Sequence, residues 1–356
     1  MDERIKKLAK ILTDYSIKIK KKDTILIESG IEAKELLLEI AKNIIKKGAF
    51  PRINLNLPGF SYLYFKYAKE WQLRTYPKIS DYEIRHCNGI ISINTDYNTK
   101  ELTSIDPRKI TLRKKITKPI SDFIIKQDNW VITEYPTNAL AQDAEMSLSE
   151  FEDFYFNSVL LDWKKESKKY NKLKKILDKA KKVRIIGEDT DISFSIKNRK
   201  AIVDDGKRNM PGGEVYIAPE EKTTQGFISY DFPAIFNGKE VSGIKLWFKN
   251  GKVVKAKADK NEDMLKAAIN TDKGSKYLGE FGIGLNYNIK KFVKQILFDE
   301  KIGGTIHLAL GMAYPEGGGK NKSAIHWDMI KDLRKKGEIL VDDKVIQKNG
   351  KWKIRF

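Results

Sequence analysis

The sequence predicts an N-terminal α/β domain with an open, largely parallel sheet, followed by a mainly antiparallel α+β domain. Two observations carry this. Over residues 1–137 short apolar strands alternate with amphipathic helices, the pattern of βαβ units. From Val183 onward the pattern changes to short β runs joined by tight turns.

The elements follow in order. The first 20 residues read as an amphipathic helix, with Ile5, Leu8, Ile11, Leu12 and Tyr15 at helical spacing. Residues 24–28 form a short strand, and Gly30 marks its end. A helix over 32–48 has Leu37, Leu38, Ile40, Ala41, Ile44 and Ile45 apolar and closes at Gly48. Strands at 51–55 and 89–93, with a helix near 62–72 between them, continue the alternation, and 130–133 adds a last strand before Tyr135-Pro136. Residues 138–182 are helical and charged, and are read as a connection between the domains. The second domain, 183–356, opens with β runs at 183–186, 192–194, 214–217 and 243–248. Gly251 then turns the chain into a hairpin with 253–256, and a helix lies near 260–270.

At 356 residues the chain suits two domains at roughly 150 residues each. It is 41% hydrophobic and 33% charged, which supports real cores. The net charge of +20 comes from 68 basic residues, mostly Lys, interleaved with 48 acids. That reads as a solvated surface of the kind ion-pair networks favour at high temperature, more than as a nucleic-acid footprint. No stretch approaches the roughly 18 apolar residues of a membrane span. Residues 1–7 are charged and lack the apolar region of a signal peptide. A single cysteine, Cys87, excludes an intramolecular disulfide and a Cys-rich zinc module. A cytoplasmic enzyme or binding protein is the expectation.

There are only three histidines, His86, His307 and His326, and two of them share a glycine-rich run from Gly303 to Asp328. In an extended segment His326 and Asp328 point to one face, so imidazole and carboxylate converge. Alone, that triplet also fits a hydrogen-bonded histidine beside a surface acid, and His307, in an apolar run, also fits a satisfied core histidine. Glu214 follows a Pro-Gly-Gly turn at the mouth of an apolar strand, and Glu280 sits among glycines and apolar residues. Each could be an ordinary turn acid, yet carboxylates in such settings are costly unless paired or bound to a cation. The set together points to a His/carboxylate metal site.

Competing motifs fail on inspection. No H-E-x-x-H or G-x-S-x-G is present. Gly319-Lys320-Asn321 lacks the Ser or Thr of a phosphate loop, and Gly282-x-Gly284 meets Tyr287 where a dinucleotide fingerprint needs glycine. His86 and Cys87, as strand neighbours, would point to opposite faces.

The segments N-x-P-G-G-E-V at 209–215, Gly279–Gly284, Gly304–Gly311 and Ser323-x-x-His326-x-Asp328 resemble the thermophilic metallo-aminopeptidase family, the aminopeptidase T and aminopeptidase S group. The likeness extends to residues 135–147 and to the opening around 23–48. The resemblance implies removal of N-terminal residues from short or unfolded peptides by a water activated between two divalent ions, Zn, Co or Mn. It makes Glu214, Glu280, Glu300, His307, His326 and Asp328 metal ligands, with Glu280 and Tyr314 catalytic. It also implies a homodimer enclosing its active sites. Another dinuclear hydrolase, such as a phosphoesterase, and a basic nucleic-acid-binding protein with structural His and acids are the alternative readings.

Overall fold

The computed structural model describes residues 2–354, which divide into two compact units. The first runs to Leu161 and includes Gly206–Pro211; the second comprises Asp162–Asp205 and the chain from Gly212.

The first unit is built on a five-stranded sheet in the order Phe50–Asn56, Thr24–Gly30, Gly89–Asn94, Trp130–Glu134 and Asn209–Met210. Every pairing in it is parallel. The apolar runs at 25–27 and 90–93 arise because both faces of such a sheet are covered. Leu26 and Ile90 turn one way and pack with Ile84 and Ile120 of the helices Lys78–His86 and Pro107–Lys126. Ile25, Ile27 and Ile91 alternate to the other face and are likewise buried.

These two helices go beyond the elements read from sequence. Lys78–His86 follows directly on the expected helical region. Pro107–Lys126 is capped by Asp106 and has Pro at its start, but Pro119 lies inside it and Ile120 is its one buried residue. A helix with so little buried surface has a weak apolar stripe. The Asn209–Met210 strand was also unmarked, because two residues carry no periodicity. The first helix is shorter than expected, ending at Ile11 and passing into a wider π-helical turn over Leu12–Ser16. Of the helices between 138 and 177, Asn138–Asp143 and Leu148–Val159 belong to the first unit and Trp163–Leu177 to the second.

The second unit holds an eight-stranded and a five-stranded sheet. Their strands, from Lys182–Gly187 to Lys351–Trp352, pair antiparallel. Phe194 of the larger sheet meets Phe281 of the smaller edge to face, ring centroids 5.2 Å apart, in the apolar layer between them.

One group in the first unit carries a pH dependence. Glu134 is 3% exposed; Asn94 Nδ2 donates to its Oε1 at 2.9 Å, and its Oε2 has no hydrogen-bond partner. Burial pushes its carboxyl from the usual 4.5 up to about 7. The folded state therefore keeps a proton that the unfolded chain releases, and stability falls as pH rises through that window. Glu134→Gln is expected to leave stability little changed at about pH 4 and to raise it by about 2–3 kcal/mol at about pH 8, at roughly 1.4 kcal/mol per pKa unit. Thermal melts of both proteins at the two pH values check this; an equal shift at both would exclude Glu134 as the titrating group.

Candidate metal centre

The five-stranded sheet of the second unit runs in the order His326–Asp332, Thr305–Gly311, Leu278–Gly284, Glu214–Ile217 and Ile202–Asp204. Its register aligns Glu280 with Ala309 and Ala309 with Asp328, while Gly282 lies opposite His307 and Gly284 opposite Glu214. Strand alternation then sorts the side chains. Val215, Phe281, Leu308 and Met329 lie in the apolar layer. Glu214, Glu280, His307, His326 and Asp328 fall on the opposite face. A register shift between Leu278 and Glu280 changes face at Gly279, so Leu278 aligns with Leu310 while Glu280 joins the polar side.

Two glycines make room for this face. A Cβ on Gly282 would lie 1.9 Å from His307 Nε2, in the space of the imidazole. Gly213 has φ +130° and a Cβ there would lie 2.5 Å from that of Asn286, so the turn leading to Glu214 accepts only glycine.

The residues singled out from sequence come together. His307 Nε2 lies 3.1 Å from Glu280 Oε1 and 3.2 Å from Glu214 Oε2. His326 Nε2 lies 3.5 Å from Asp328 Oδ2 and 3.8 Å from Glu280 Oε2. His326 Nδ1–H donates to the Met312 carbonyl at 2.8 Å, which turns Nε2 toward the carboxylates. Glu300, just past the short helix Ile296–Asp299, joins Glu214 and His307 in one group of mutually close donor atoms. Glu280, His307 and Asp328 form a second group. Tyr314 packs its ring 5.0 Å from that of His326 and 5.8 Å from that of Tyr216.

Electrostatics in this face are governed by burial. It pushes the Glu280 and Glu300 carboxyls up. For Glu214 the same burial is outweighed by Lys301 and His307, which hold the carboxyl down. Burial opposes charging of His307, but Glu214 and Glu280 outweigh it and raise the imidazole. Burial, reinforced by Glu280 and Asp328, pushes the Tyr314 hydroxyl up, so it keeps its proton and can donate.

The donor set fits divalent ions. Glu280 Oε2 and Asp328 Oδ1 are buried without a hydrogen-bond partner. Such oxygens are costly in a protein interior unless a cation meets them. Mixed carboxylate and imidazole donors suit Zn, Co or Mn. A cleft of about 360 Å³ opens onto His326 and Asp328, walled in part by Phe292, Ile235, Ile296 and Trp327.

Sequence reading missed Asp204, Tyr216, Asp272 and Lys301. Asp204 lies opposite Glu214 in register, and Tyr216 shares the polar face. Asp272 accepts from Ser323 Oγ and from the backbone N–H of Ala324, Gly274 and Ser275, and so fixes the segment leading into His326. Only Lys301 carried a signal, a cation following Asp299 and Glu300 between apolar and glycine-rich runs.

Gly282→Ala is expected to displace the His307 imidazole. The overpacking should cost about 1–3 kcal/mol and lower the melting temperature by several degrees. It should also lower bound metal measured by elemental analysis; unchanged metal content would show that His307 had not moved.

Comparison with known proteins identifies the family. The family model for the thermophilic metalloproteases, M29, matches residues 1–352. Aminopeptidase 2 of Geobacillus stearothermophilus is 24% identical over 352 residues, covering 88% of this chain and 84% of its own. Aminopeptidase AmpS of Bacillus subtilis is 35% identical over 166 residues, 40% of each chain. The solved structure of wild-type AmpT from Thermus thermophilus superposes with a TM-score of 0.88 over 99% of both chains, at 20% identity, which speaks for the fold. With its family model matched almost end to end, the chain belongs to the thermophilic metalloprotease family.

Proposed function

We infer that the protein is a metal-dependent aminopeptidase whose second unit holds two divalent ions and removes N-terminal residues from short or unfolded peptides. The observation that carries this is the pair of donor groups, Glu214–Glu300–His307 and Glu280–His307–Asp328, meeting at one imidazole on a buried face. The relatives named above are themselves called aminopeptidases.

Divalent ions held by these residues would supply an activated water and polarise the scissile carbonyl. Within that setting Glu280, set between His307 and His326 in the second group, takes the proton from the attacking water. Tyr314, kept protonated, donates a hydrogen bond to the developing oxyanion. Glu214, Glu300, His307, His326 and Asp328 serve as ligands. The cleft beside His326 and Asp328 accepts the side chain of the N-terminal residue, and its apolar walls favour large apolar ones. The metal is one of Zn, Co and Mn.

Two further parts of the reading rest on other features. No helix among the described residues is long and apolar enough to cross a membrane, and the chain has one cysteine; we place it in the cytoplasm. We assign it a homodimer through the first unit. The helix Phe60–Tyr67 buries none of its residues although it is largely aromatic, and Leu57, Phe60, Tyr67 and Trp71 are all more than half exposed. Apolar surface of this kind marks an interface, and sedimentation is expected to give a dimer; a stable monomer would count against it.

The catalytic reading is tested with peptide p-nitroanilides. Chelation should abolish release, and Zn, Co or Mn should restore it. Glu280→Gln should fold normally and lower kcat by about 10²–10⁴, the usual loss for a proton-transfer group. Blocking the peptide's α-amine should stop cleavage. Activity retained after complete metal removal, or near-normal turnover by Glu280→Gln, would overturn the assignment.

A further inference from the structure

Beside the donor groups stands a cation supplied by the chain itself. Lys301 is fully buried. Its Nζ donates to Glu300 Oε1 and lies 3.5 Å from Glu214 Oε1 and 3.6 Å from Asp204 Oδ2. The residue is held in place by its backbone, whose carbonyl accepts from Asn286 N–H at 2.9 Å. Asp204, 3% exposed, is the neighbour of Glu214 across the sheet.

The charges of this interior can be set against those of the ions it would hold. Asp204, Glu214, Glu280, Glu300 and Asp328 supply five carboxylates, and Lys301 one ammonium. Five negative charges less one positive leave four, the charge of two divalent ions when both histidines bind as neutral ligands. Without Lys301 the same face carries one uncompensated negative charge. The ammonium also touches only one of the two donor groups. It draws on Glu214 and Glu300, which hold one ion, and does not contact Glu280 or Asp328.

We propose that Lys301 is a resident cation of the metal centre, which positions Glu214 and Glu300 and lowers the affinity of their end for a divalent ion. Two positive charges there share the same carboxylates, so each weakens the hold on the other. When the ion is absent, Lys301 remains to neutralise Glu214 and Glu300 and keeps the stripped fold intact. When it is present, Asp204 retains the ammonium. This makes the Glu214 end the weaker and more exchangeable of the two. The inference rests on the two-ion reading above.

The test compares the parent with Lys301→Met and Asp204→Asn. Each is stripped with chelator and titrated with Zn²⁺ by calorimetry, and its melting temperature is measured stripped and loaded. Lys301→Met should melt lower when stripped and gain more on loading, because it binds the ion at the Glu214 end at least about tenfold more tightly. Unfolding on stripping that Zn²⁺ reverses is the extreme of the same result. Asp204→Asn, which leaves the whole ammonium charge to Glu214 and Glu300, should shift that constant the other way, severalfold weaker. Two ions in the parent with unchanged constants in both variants would overturn the proposal. So would a smaller gain on loading in Lys301→Met, which would make Lys301 purely structural. A parent that binds no metal would overturn the functional reading instead.

Discussion

His307 Nε2 stands between Glu214 and Glu280, 3.2 and 3.1 Å away, and the rest of the second unit depends on that contact. The strand that carries His307, Thr305–Gly311, and its neighbour Leu278–Gly284, which carries Glu280, are buried on both faces throughout. One face is ordinary apolar core. The other concentrates carboxylates where water cannot solvate them, so they must be neutralised from within. Three local departures from an ideal sheet serve that need. Gly282 vacates the space of the imidazole, the register shift at Gly279 brings Glu280 to the polar side, and the left-handed Gly213 lets Glu214 enter beside Asn286.

Fixing the second histidine takes a longer chain of contacts. His326 begins an edge strand, where pairing on one side only would leave its approach loose. The Met312 carbonyl orients its ring, and Asp272 accepts from the Ser323 hydroxyl and the Ala324 N–H of the preceding segment. Precision at the site is thus obtained from backbone hydrogen bonds remote in sequence, in the manner of outer-shell support at metal centres.

Much of this was legible in the sequence, and the limits are physical. The alternation of strands and helices in the first unit and the change to β runs after Val183 follow from periodicity, which the chain must display to bury its faces. The long helix Pro107–Lys126 escaped because it buries almost nothing and contains Pro119. At the site, His307, His326, Asp328, Glu214 and Glu280 stood out because charge and imidazole are rare in glycine-rich apolar runs. Asp204 and Asp272 did not, since their importance lies in register and in loop contacts that no spacing reveals.

The edge position of the His326 strand has a consequence for access. The His326 and Asp328 side chains retain 18% and 10% exposure and border the cleft, whereas His307 has none and Glu214 5%. The polar face is therefore graded in depth: its outer histidine and aspartate meet the cleft, while its inner carboxylate is closed off by the strands around it. That gradient is imposed by nothing more than which strand lies at the rim.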